Sequence, residues 1–289
     1  VGPFDLQKCV LTAKSGGRPA YTSVYGDALS ELARRDERVV AITAAMPDGT
    51  GLTEFANEFP DRYYDVGIAE PHAVTFAAGL AAGGVKPFVA IYSTFMQRAF
   101  DQIVHDCALQ HLPVRFIMDR AGLVGADGPT HHGTFDISYL SFIPGMVQLA
   151  PRDGTELRAM VDWMAGYQDA PTALRYPRGS VPEGLPEGRS AIQLGRAENL
   201  GVPGSEAASV AVIVAYGGLV TVEENARTGG FGELVREALV DADLASLPHT
   251  VLSLPDRFIE HGDQDKLLDE HGLSVDDIVK AVRNVQKQA

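Results

Sequence analysis

The sequence predicts an α/β protein in which a doubly wound, mostly parallel sheet is followed by a smaller α/β domain. Apolar runs of strand length alternate with amphipathic helical patterns from about residue 22 to residue 176. A stretch rich in proline, glycine and charge then interrupts the pattern at 177–189. Shorter strand and helix patterns return beyond it, and 289 residues are enough for two domains that each bury a core. We expect a linker at 1–20, domains at 21–180 and 196–289, and a second linker at 181–195.

The larger domain begins with a helix, because Val24, Ala28 and Leu32 follow helical spacing. Helical patterns also cover 73–82 and 95–109. Six apolar runs predict buried strands, at 39–43, 62–66, 87–92, 114–118, 146–150 and 172–176. Strands and helices that alternate in this way form a parallel sheet with helices on both faces. In such sheets ligands bind beyond the carboxyl ends of the strands, so functional residues are expected there.

The smaller domain has predicted strands at 209–216, 219–223 and 250–254 and helices at 232–240 and 275–285. Its first two strands are separated only by Gly217 and Gly218. A parallel pair needs a crossover of a dozen or more residues, whereas two glycines between apolar runs are typical of a β-hairpin. We therefore predict a hairpin at this point.

Composition excludes several classes of function. With 45% hydrophobic residues, 21% charged residues and a net charge of −14, the chain lacks the basic face of a nucleic-acid-binding protein. It has no run of about 20 apolar residues, so no membrane span is expected. Cys9 and Cys107 have neither a disulfide pattern nor a metal-site spacing, which is typical of a reducing compartment and predicts a cytoplasmic protein. Cys107 lies in an apolar helical run and is predicted to be a core residue.

Two candidate site clusters come first along the chain. Glu70 follows the second predicted strand, where a carboxylate either complements a helix dipole or binds a proton or a heterocycle nitrogen in a dry cleft. Phe95 and Arg98 follow the third strand, with Tyr92 at its end. Phe95 is either a core residue or a stacking surface for a flat heteroaromatic ring, and Arg98 is either an exposed charge or a ligand contact.

Two further clusters follow. The long loop at 119–136 contains Arg120, Asp127, His131 and His132, and loops of this length inside a compact domain are usually functional or disordered. The histidines are suited to proton transfer near neutral pH, but adjacent histidines without a third ligand do not predict a metal site. Arg178 ends the last cluster, as a surface charge or as a clamp on a phosphate or carboxylate.

These clusters resemble the deoxyxylulose-phosphate synthases, a branch of the transketolase-like thiamine diphosphate enzymes. The similar segments are YYDVGIAEPHAVTFAAGLAA (63–82), YSTFMQRAFDQ (92–102), DRAGLVGADGPTHHGTFDISYL (119–140) and RYPRG (175–179). The resemblance runs in order over about 15–180 and continues through LVTVEENARTGGFG (219–232) and LPDRFIEHG (254–262) in the smaller domain. It implies a pyrimidine-binding domain followed by a transketolase C-terminal-like domain.

The resemblance implies an enzyme, a transferase that condenses pyruvate with D-glyceraldehyde 3-phosphate and releases carbon dioxide. The product, 1-deoxy-D-xylulose 5-phosphate, feeds isoprenoid, thiamine and pyridoxal biosynthesis. The implied cofactors are thiamine diphosphate and Mg²⁺, and the implied assembly is a homodimer. Glu70 would bond the pyrimidine nitrogen N1′ and His131 would act in proton transfer, so both are the implied catalytic residues. Phe95 would stack on the pyrimidine and Ile68 would also contact the cofactor. The implied substrate-binding residues are Tyr92, Arg98, Arg120, Asp127, His131 and Arg178.

The sequence departs from this family's pattern at several points. Pro71 and His132 occupy positions where glutamine is expected. Nothing in the sequence resembles the family's first domain, which binds the diphosphate and Mg²⁺, and residue 1 is valine, so we expect a fragment or a processed piece. The smaller domain also lacks an expected strand and helix between residues 216 and 219. Either the protein is shortened there or residues are missing from the sequence, and we favour the second explanation because losing a strand would expose an edge.

Three other interpretations remain. A β subunit of a 2-oxo acid dehydrogenase shares the glutamate and would account for the missing diphosphate domain. A transketolase fits the fold, but the 119–133 loop and the RYPRG ending favour the synthase. A non-catalytic binding module is disfavoured by the intact set of Glu70, Phe95, Arg120, His131 and Arg178.

Overall fold

The computed structural model describes residues 17–182, 191–194, 210–215 and 218–288 of the chain. It also describes two short strands, β1 (Phe4–Asp5) and β2 (Val10–Leu11), which pair antiparallel. No helix in this described part of the chain is both long and apolar enough to span a bilayer. The first and last residues of the larger predicted domain are adjacent in space: the amide of Val181 donates to the carbonyl of Pro19 at 2.9 Å.

A six-stranded sheet forms the centre of the larger domain, and all of its neighbouring strands are parallel. The strand order is β4-β3-β5-β6-β8-β7. The predicted strands are confirmed with ends shifted by one residue or less, and the four inner strands are almost fully buried between the two helical layers. Their bounds are β3 (Val39–Thr43), β4 (Tyr63–Asp65), β5 (Lys86–Tyr92), β6 (Arg115–Asp119), β7 (Val147–Leu149) and β8 (Thr172–Arg175).

Helices cover both faces of this sheet, as predicted. Successive strand residues point to opposite faces, so Ala41 packs in the core under α1 and α7, whereas Ile42 packs in the core under α3. The helices of this domain are α1 (Tyr21–Arg35), α2 (Thr53–Glu58), α3 (Glu70–Ala82), α4 (Ser93–Met96), α5 (Phe100–Gln102), α6 (Asp136–Ser141) and α7 (Gly154–Gly166).

The helical pattern at 95–109 is confirmed, although the segment is not one regular helix. A 3₁₀ turn (Gln97–Ala99) separates α4 from α5, and a π turn (Ile103–Ala108) follows α5. Interruptions of this kind are common at functional sites. Cys107 lies in the π turn and is fully buried, which confirms it as a core residue, and burial raises the pKa of its thiol to about 12.

The smaller predicted domain has a three-stranded sheet of order β11-β10-β9. β9 and β10 pair antiparallel with Gly218 opposite Ala215, so the predicted hairpin pairing is confirmed. β10 and β11 are parallel. The elements are β9 (Val210–Ala215), β10 (Gly218–Ala226), α8 (Phe231–Asp241), β11 (His249–Leu254), α9 (Gln264–Glu270) and α10 (Val275–Gln288).

A buried ion pair joins this sheet to the larger one. Arg175, the last residue of β8, donates from Nε to Asp136 Oδ2 at 2.8 Å and from Nη2 to the carbonyl of Glu224 at 3.3 Å. Arg175 and Asp136 are each 1% exposed. The cationic end of β8 is therefore used to fix the smaller sheet against α6.

Candidate active site

The four clusters predicted from the sequence all lie at the carboxyl edge of the six-stranded sheet. They follow β4, β5, β6 and β8, while the loop after β3 contributes backbone groups. The strand order reverses at β3, which has β4 on one side and β5 on the other. Open parallel sheets bind ligands at this kind of reversal, because the loops on either side diverge and leave a crevice.

Glu70 is the first residue of α3 and is 2% exposed. The preceding turn is fixed by Asp65, whose Oδ1 accepts from the amides of Ala45 at 2.8 Å and Gly67 at 2.9 Å. Pro71 fits the first turn of the helix, where its missing N–H would have had no helical partner. The chain thus places a carboxylate on a rigid helix terminus inside the protein.

The Glu70 carboxylate is bound by Arg98. Arg98 Nη1 donates to Glu70 Oε1 at 2.6 Å, and the Arg98 side chain is 55% exposed whereas that of Glu70 is 3% exposed. The same guanidinium lies 5.0 Å from the centroid of the Phe95 ring. Arg98 therefore links the buried acid to the aromatic cluster on α4.

Phe95 is the centre of that cluster. Its ring is stacked on Tyr92, with centroids 5.7 Å apart and planes 13° apart. His131 approaches the Phe95 ring edge-on at 5.4 Å. His131 Nδ1 also lies 2.9 Å from Thr130 Oγ1. A residue from the loop after β5 and one from the long loop after β6 are thereby brought together.

Arg120 is positioned by a strained backbone and a buried acid. Its φ is +61°, a conformation that non-glycine residues adopt rarely and that often marks functional sites. Its Nη1 donates to the carbonyl of Gly49 at 2.7 Å and to Asp119 Oδ1 at 2.8 Å. Its guanidinium lies 3.9 Å from the centroid of the Tyr92 ring. Burial of Tyr92 raises the pKa of its phenol.

Asp119 is fully buried and accepts from Thr22 Oγ1 at 2.6 Å as well as from Arg120. Burial raises the pKa of its carboxyl to about 6, with the Arg120 charge acting in the opposite direction. A group that titrates near neutral pH next to the aromatic cluster is a feature of a functional site.

Arg178 and Asp127 form a more exposed ion pair at the rim. Arg178 Nη1 donates to Asp127 Oδ2 at 2.6 Å and to the carbonyl of Val124 at 3.3 Å. Their side chains are 45% and 39% exposed. Asp127 lies on the same loop as His131, so the pair borders the same site.

The structure thus brings together eight of the nine residues that the sequence singled out. Ile68 stands apart, because it is 80% exposed on the turn before Glu70. Each predicted substrate-binding arginine is paired with a carboxylate, at Glu70, Asp119 and Asp127 respectively.

Sequence reasoning missed Asp119 and Gly49 as site residues. Asp119 has a recognisable signal, since it is a charged residue directly after the apolar run Phe116–Met118. Gly49 has no such signal in the sequence. A Cβ at this position would collide with the Tyr92 hydroxyl, but the two residues are 43 positions apart and only the fold brings them together.

Comparison with known proteins identifies the family. The family model described as transketolase, pyrimidine binding domain, matches residues 18–183, and the model of the transketolase C-terminal domain matches residues 203–278. The chain belongs to the transketolase pyrimidine-binding family.

Curated relatives within this family include 1-deoxy-D-xylulose-5-phosphate synthases. The protein from Syntrophotalea carbinolica is 48% identical over 98% of the chain, and that from Aquifex aeolicus is 46% identical over 99%. In each case the match covers 51% of the relative, so the chain spans about half their length. The first alignment extends over 326 positions, against 289 residues in the chain, so this relative carries inserted residues within the matched region.

Solved transketolase structures have the same fold. The structure titled "Split gene transketolase, inactive beta4 tetramer" aligns with a TM-score of 0.78 at 26% identity, covering 93% of this chain and 99% of that one. Transketolase from Leishmania mexicana aligns with a TM-score of 0.67, covering 96% of this chain and 47% of that one. Its 17% identity supports the fold alone.

Proposed function

We propose that this chain is the pyrimidine-binding half of a 1-deoxy-D-xylulose-5-phosphate synthase. The enzyme would condense pyruvate with D-glyceraldehyde 3-phosphate, release carbon dioxide, and supply isoprenoid and thiamine biosynthesis in the cytoplasm. The observation that carries the proposal is the buried Glu70 carboxylate at the same sheet edge as Phe95, His131 and Arg120. The identity to the curated synthases supports the choice among thiamine diphosphate enzymes.

The residues present fit a thiamine pyrimidine ring. Glu70 offers a buried carboxylate as a hydrogen-bond acceptor, and Phe95 offers an aromatic surface beside it. Ile68 is an exposed apolar side chain two residues before Glu70, and a bound cofactor would cover it. When bound, thiamine diphosphate supplies a carbanion nucleophile and an electron sink.

In this proposal each residue of the chain has a distinct role. Glu70 holds a proton at the pyrimidine nitrogen N1′ and orients the ring. Phe95 stacks on the pyrimidine, which requires Tyr92 or Arg98 to yield part of its contact with the Phe95 ring. His131 transfers a proton near the substrate carbonyl, because its ring lies against the edge of Phe95.

The arginines provide the charge for two anionic substrates. Arg98 lies closest to the buried acid, so it would bind the carboxylate of pyruvate. Arg120 and Arg178 lie toward the rim with Tyr92 and Asp127, so they would bind the phosphate and hydroxyl groups of D-glyceraldehyde 3-phosphate. Planar guanidinium groups match both carboxylate and phosphate oxygens.

The remaining parts of the site would come from outside this half. We propose that a diphosphate-binding domain or chain holds the cofactor's diphosphate and Mg²⁺ and that the assembled enzyme is a homodimer. We also propose that a strand and helix are missing near 216–219, where β9 and β10 now form a hairpin. The inserted residues in the first relative's alignment support the loss of a segment from the matched region.

A second candidate is a subunit of a two-chain transketolase. The split-gene transketolase structure favours it, because this chain covers 99% of that chain. A two-chain enzyme would also place the diphosphate-binding half on a separate polypeptide.

The complete enzyme distinguishes these candidates. Given pyruvate, D-glyceraldehyde 3-phosphate, thiamine diphosphate and Mg²⁺, a synthase releases carbon dioxide and forms 1-deoxy-D-xylulose 5-phosphate. A transketolase instead transfers a two-carbon unit from a ketose phosphate and leaves pyruvate untouched. Decarboxylation that requires a lipoyl protein as acceptor would indicate the dehydrogenase β subunit and would contradict both candidates.

A further inference from the structure

The loop after β6 carries three of the proposed site residues, and two backbone hydrogen bonds join its two ends. The amide of Gly122 donates to the carbonyl of Gly133 at 2.7 Å, and the amide of Gly133 donates back at 2.8 Å. Asp127 and His131 lie within the closed loop, and Arg120 immediately precedes it. Contacts that hold the interior of this loop in place therefore also position Asp127 and His131.

His132 is buried inside this loop, with 3% of its surface exposed. The backbone N–H of Val124 donates to His132 Nδ1 at 3.1 Å, and His132 Nε2 lies 3.4 Å from the carbonyl oxygen of Glu260. A backbone N–H can only donate and a carbonyl can only accept. The ring must therefore be neutral, with its proton on Nε2.

The second partner belongs to the smaller domain, which contacts the loop at other points as well. Glu224 Oε2 accepts from the amide of Leu123 at 3.1 Å, and the amide of Gly262 donates to the carbonyl of Gly125 at 3.2 Å. The His132 ring thus connects one side of the loop to the segment after β11. Glu224 holds the same side of the loop from β10.

We propose that His132 is a positioning residue which, as a neutral imidazole, ties the substrate loop to the smaller domain and so presets Asp127 and His131 for the phosphorylated substrate. This inference rests on the proposed function for its effect on catalysis. The latch itself, defined as the Val124–His132–Glu260 hydrogen bonds, is a property of the chain alone.

The latch depends on pH, because protonation of Nδ1 removes the acceptor for the Val124 amide. The titratable groups that act on His132 are Asp127, which favours the charged form, and His131, which opposes it. Burial is the largest influence and lowers the pKa of His132. The neutral form is therefore present at neutral pH, and the latch is lost as the pH falls through the lowered pKa.

The residue that the family pattern leads us to expect here, glutamine, supplies a matched variant. A glutamine amide offers one acceptor and two donors and does not titrate near neutral pH. His132→Gln should retain a latch without its pH dependence, whereas His132→Leu should remove the acceptor at every pH. His105→Gln changes an exposed histidine that pairs with Asp101 on the surface, so it serves as the control.

The first experiment measures amide hydrogen exchange of Val124 in this chain, as a protection factor relative to the intrinsic rate. In the wild type and in the control variant His105→Gln, protection should fall about tenfold or more as the pH is lowered from about 7.5 through the lowered pKa of His132, with measurements continued to about pH 4. It should stay constant in His132→Gln and be low throughout in His132→Leu. Constant protection in the wild type, or the same fall in His132→Gln, would overturn the latch. If His132→Leu does not fold, the glutamine variant alone decides.

The second experiment measures KM for D-glyceraldehyde 3-phosphate and kcat in the complete enzyme over the same pH range. We expect KM of the wild type to rise severalfold relative to His132→Gln as the pH falls, with a smaller change in kcat. Hydrogen exchange could confirm the latch while KM changes equally with pH in the wild type and in His132→Gln. In that case the positioning role is wrong. If neither the wild type nor any variant has synthase activity at any pH, the proposed function is wrong. The hydrogen-exchange experiment still tests the latch, because it does not depend on activity.

Discussion

Replacing Glu70 by glutamine tests the proposed function most directly. The change keeps the size of the side chain and its hydrogen bond from Arg98, but it removes the charge that, in the proposed function, would hold a proton at the pyrimidine nitrogen. General acid–base groups contribute about 10²–10⁴-fold to enzymatic rates. We therefore expect kcat/KM of the complete enzyme to fall by a factor in that range.

The structural cost of the same change should be small. Glu70 is buried, but the Arg98 side chain is 55% exposed and can be solvated when its partner loses its charge. The charge of Glu70 in the first turn of α3 contributes about 0.3–1 kcal/mol through the helix dipole. The free energy of unfolding should thus fall by about 1 kcal/mol or less, since neutralising a buried carboxylate also removes its desolvation cost.

Steady-state kinetics with pyruvate and D-glyceraldehyde 3-phosphate, combined with urea unfolding of the same samples, measures both quantities. Glu54→Gln provides a matched control, because Glu54 is an exposed glutamate in the first turn of α2 and loses the same dipole interaction. A Glu70→Gln enzyme that turns over like Glu54→Gln would refute the role of Glu70. Loss of activity together with an unfolding free energy near zero would attribute the defect to folding instead.

Three further predictions concern Phe95, Asp119 and the buried pair of Arg175 and Asp136. Phe95→Ala should weaken binding of thiamine diphosphate by about tenfold, since an aromatic contact contributes about 0.5–1.5 kcal/mol beyond its buried area; calorimetric titration of the complete enzyme measures this, and an unchanged affinity would contradict the stacking role. Asp119 has a pKa raised from 3.8 to about 6, so its stabilising protonated form is fully present below the unfolded pKa and is lost as the pH rises through 6. Relative to the wild type, Asp119→Asn should therefore gain about 2 kcal/mol of unfolding free energy between about pH 4 and about pH 7, and a pH-independent difference in urea titrations would contradict this. Arg175→Met leaves Asp136 buried without its charged partner and should destabilise the chain by about 3–5 kcal/mol, most of which the double variant Arg175→Met with Asp136→Leu should recover; a single-variant loss below about 1 kcal/mol would show that the pair is not structurally required.

The periodic parts of the fold were predictable because burial alone determines them. β3 has five fully or almost fully buried residues, Val39–Thr43, and its predicted bounds match the structure. The hairpin of β9 and β10 followed from the two glycines, because a connection that short cannot form a parallel crossover. Short helices such as α6 were missed, since six residues give too little periodicity to detect.

The sheet edge at which the site residues lie was predictable, but the hydrogen bonds and ion pairs between them were not. Parallel strands bring their carboxyl ends to one edge, so Glu70, Phe95 and His131 had to lie near one another. No sequence pattern pairs Arg98 with Glu70, because the two are 28 positions apart and belong to different loops. Likewise, the hydrogen bond from Val124 to His132 depends on the path of the loop, which glycines permit but do not determine.

Two of the arginine–carboxylate pairs differ in solvent exposure, and this difference indicates in which pair an anionic ligand could replace the carboxylate. Asp119 is 1% exposed and Arg120 is 18% exposed, so separating them would leave a buried charge without a partner. Asp127 and Arg178 are 39% and 45% exposed, and pairs of that kind contribute about 0–1 kcal/mol. In the proposed function, the phosphate of the substrate would therefore replace Asp127 at Arg178 at little cost, and the Asp127 carboxylate would become free to accept from the substrate hydroxyl groups. Arg120 would stay paired with Asp119 and keep its position. The proposed site thus combines a fixed cation, Arg120, with a cation whose partner can change, Arg178.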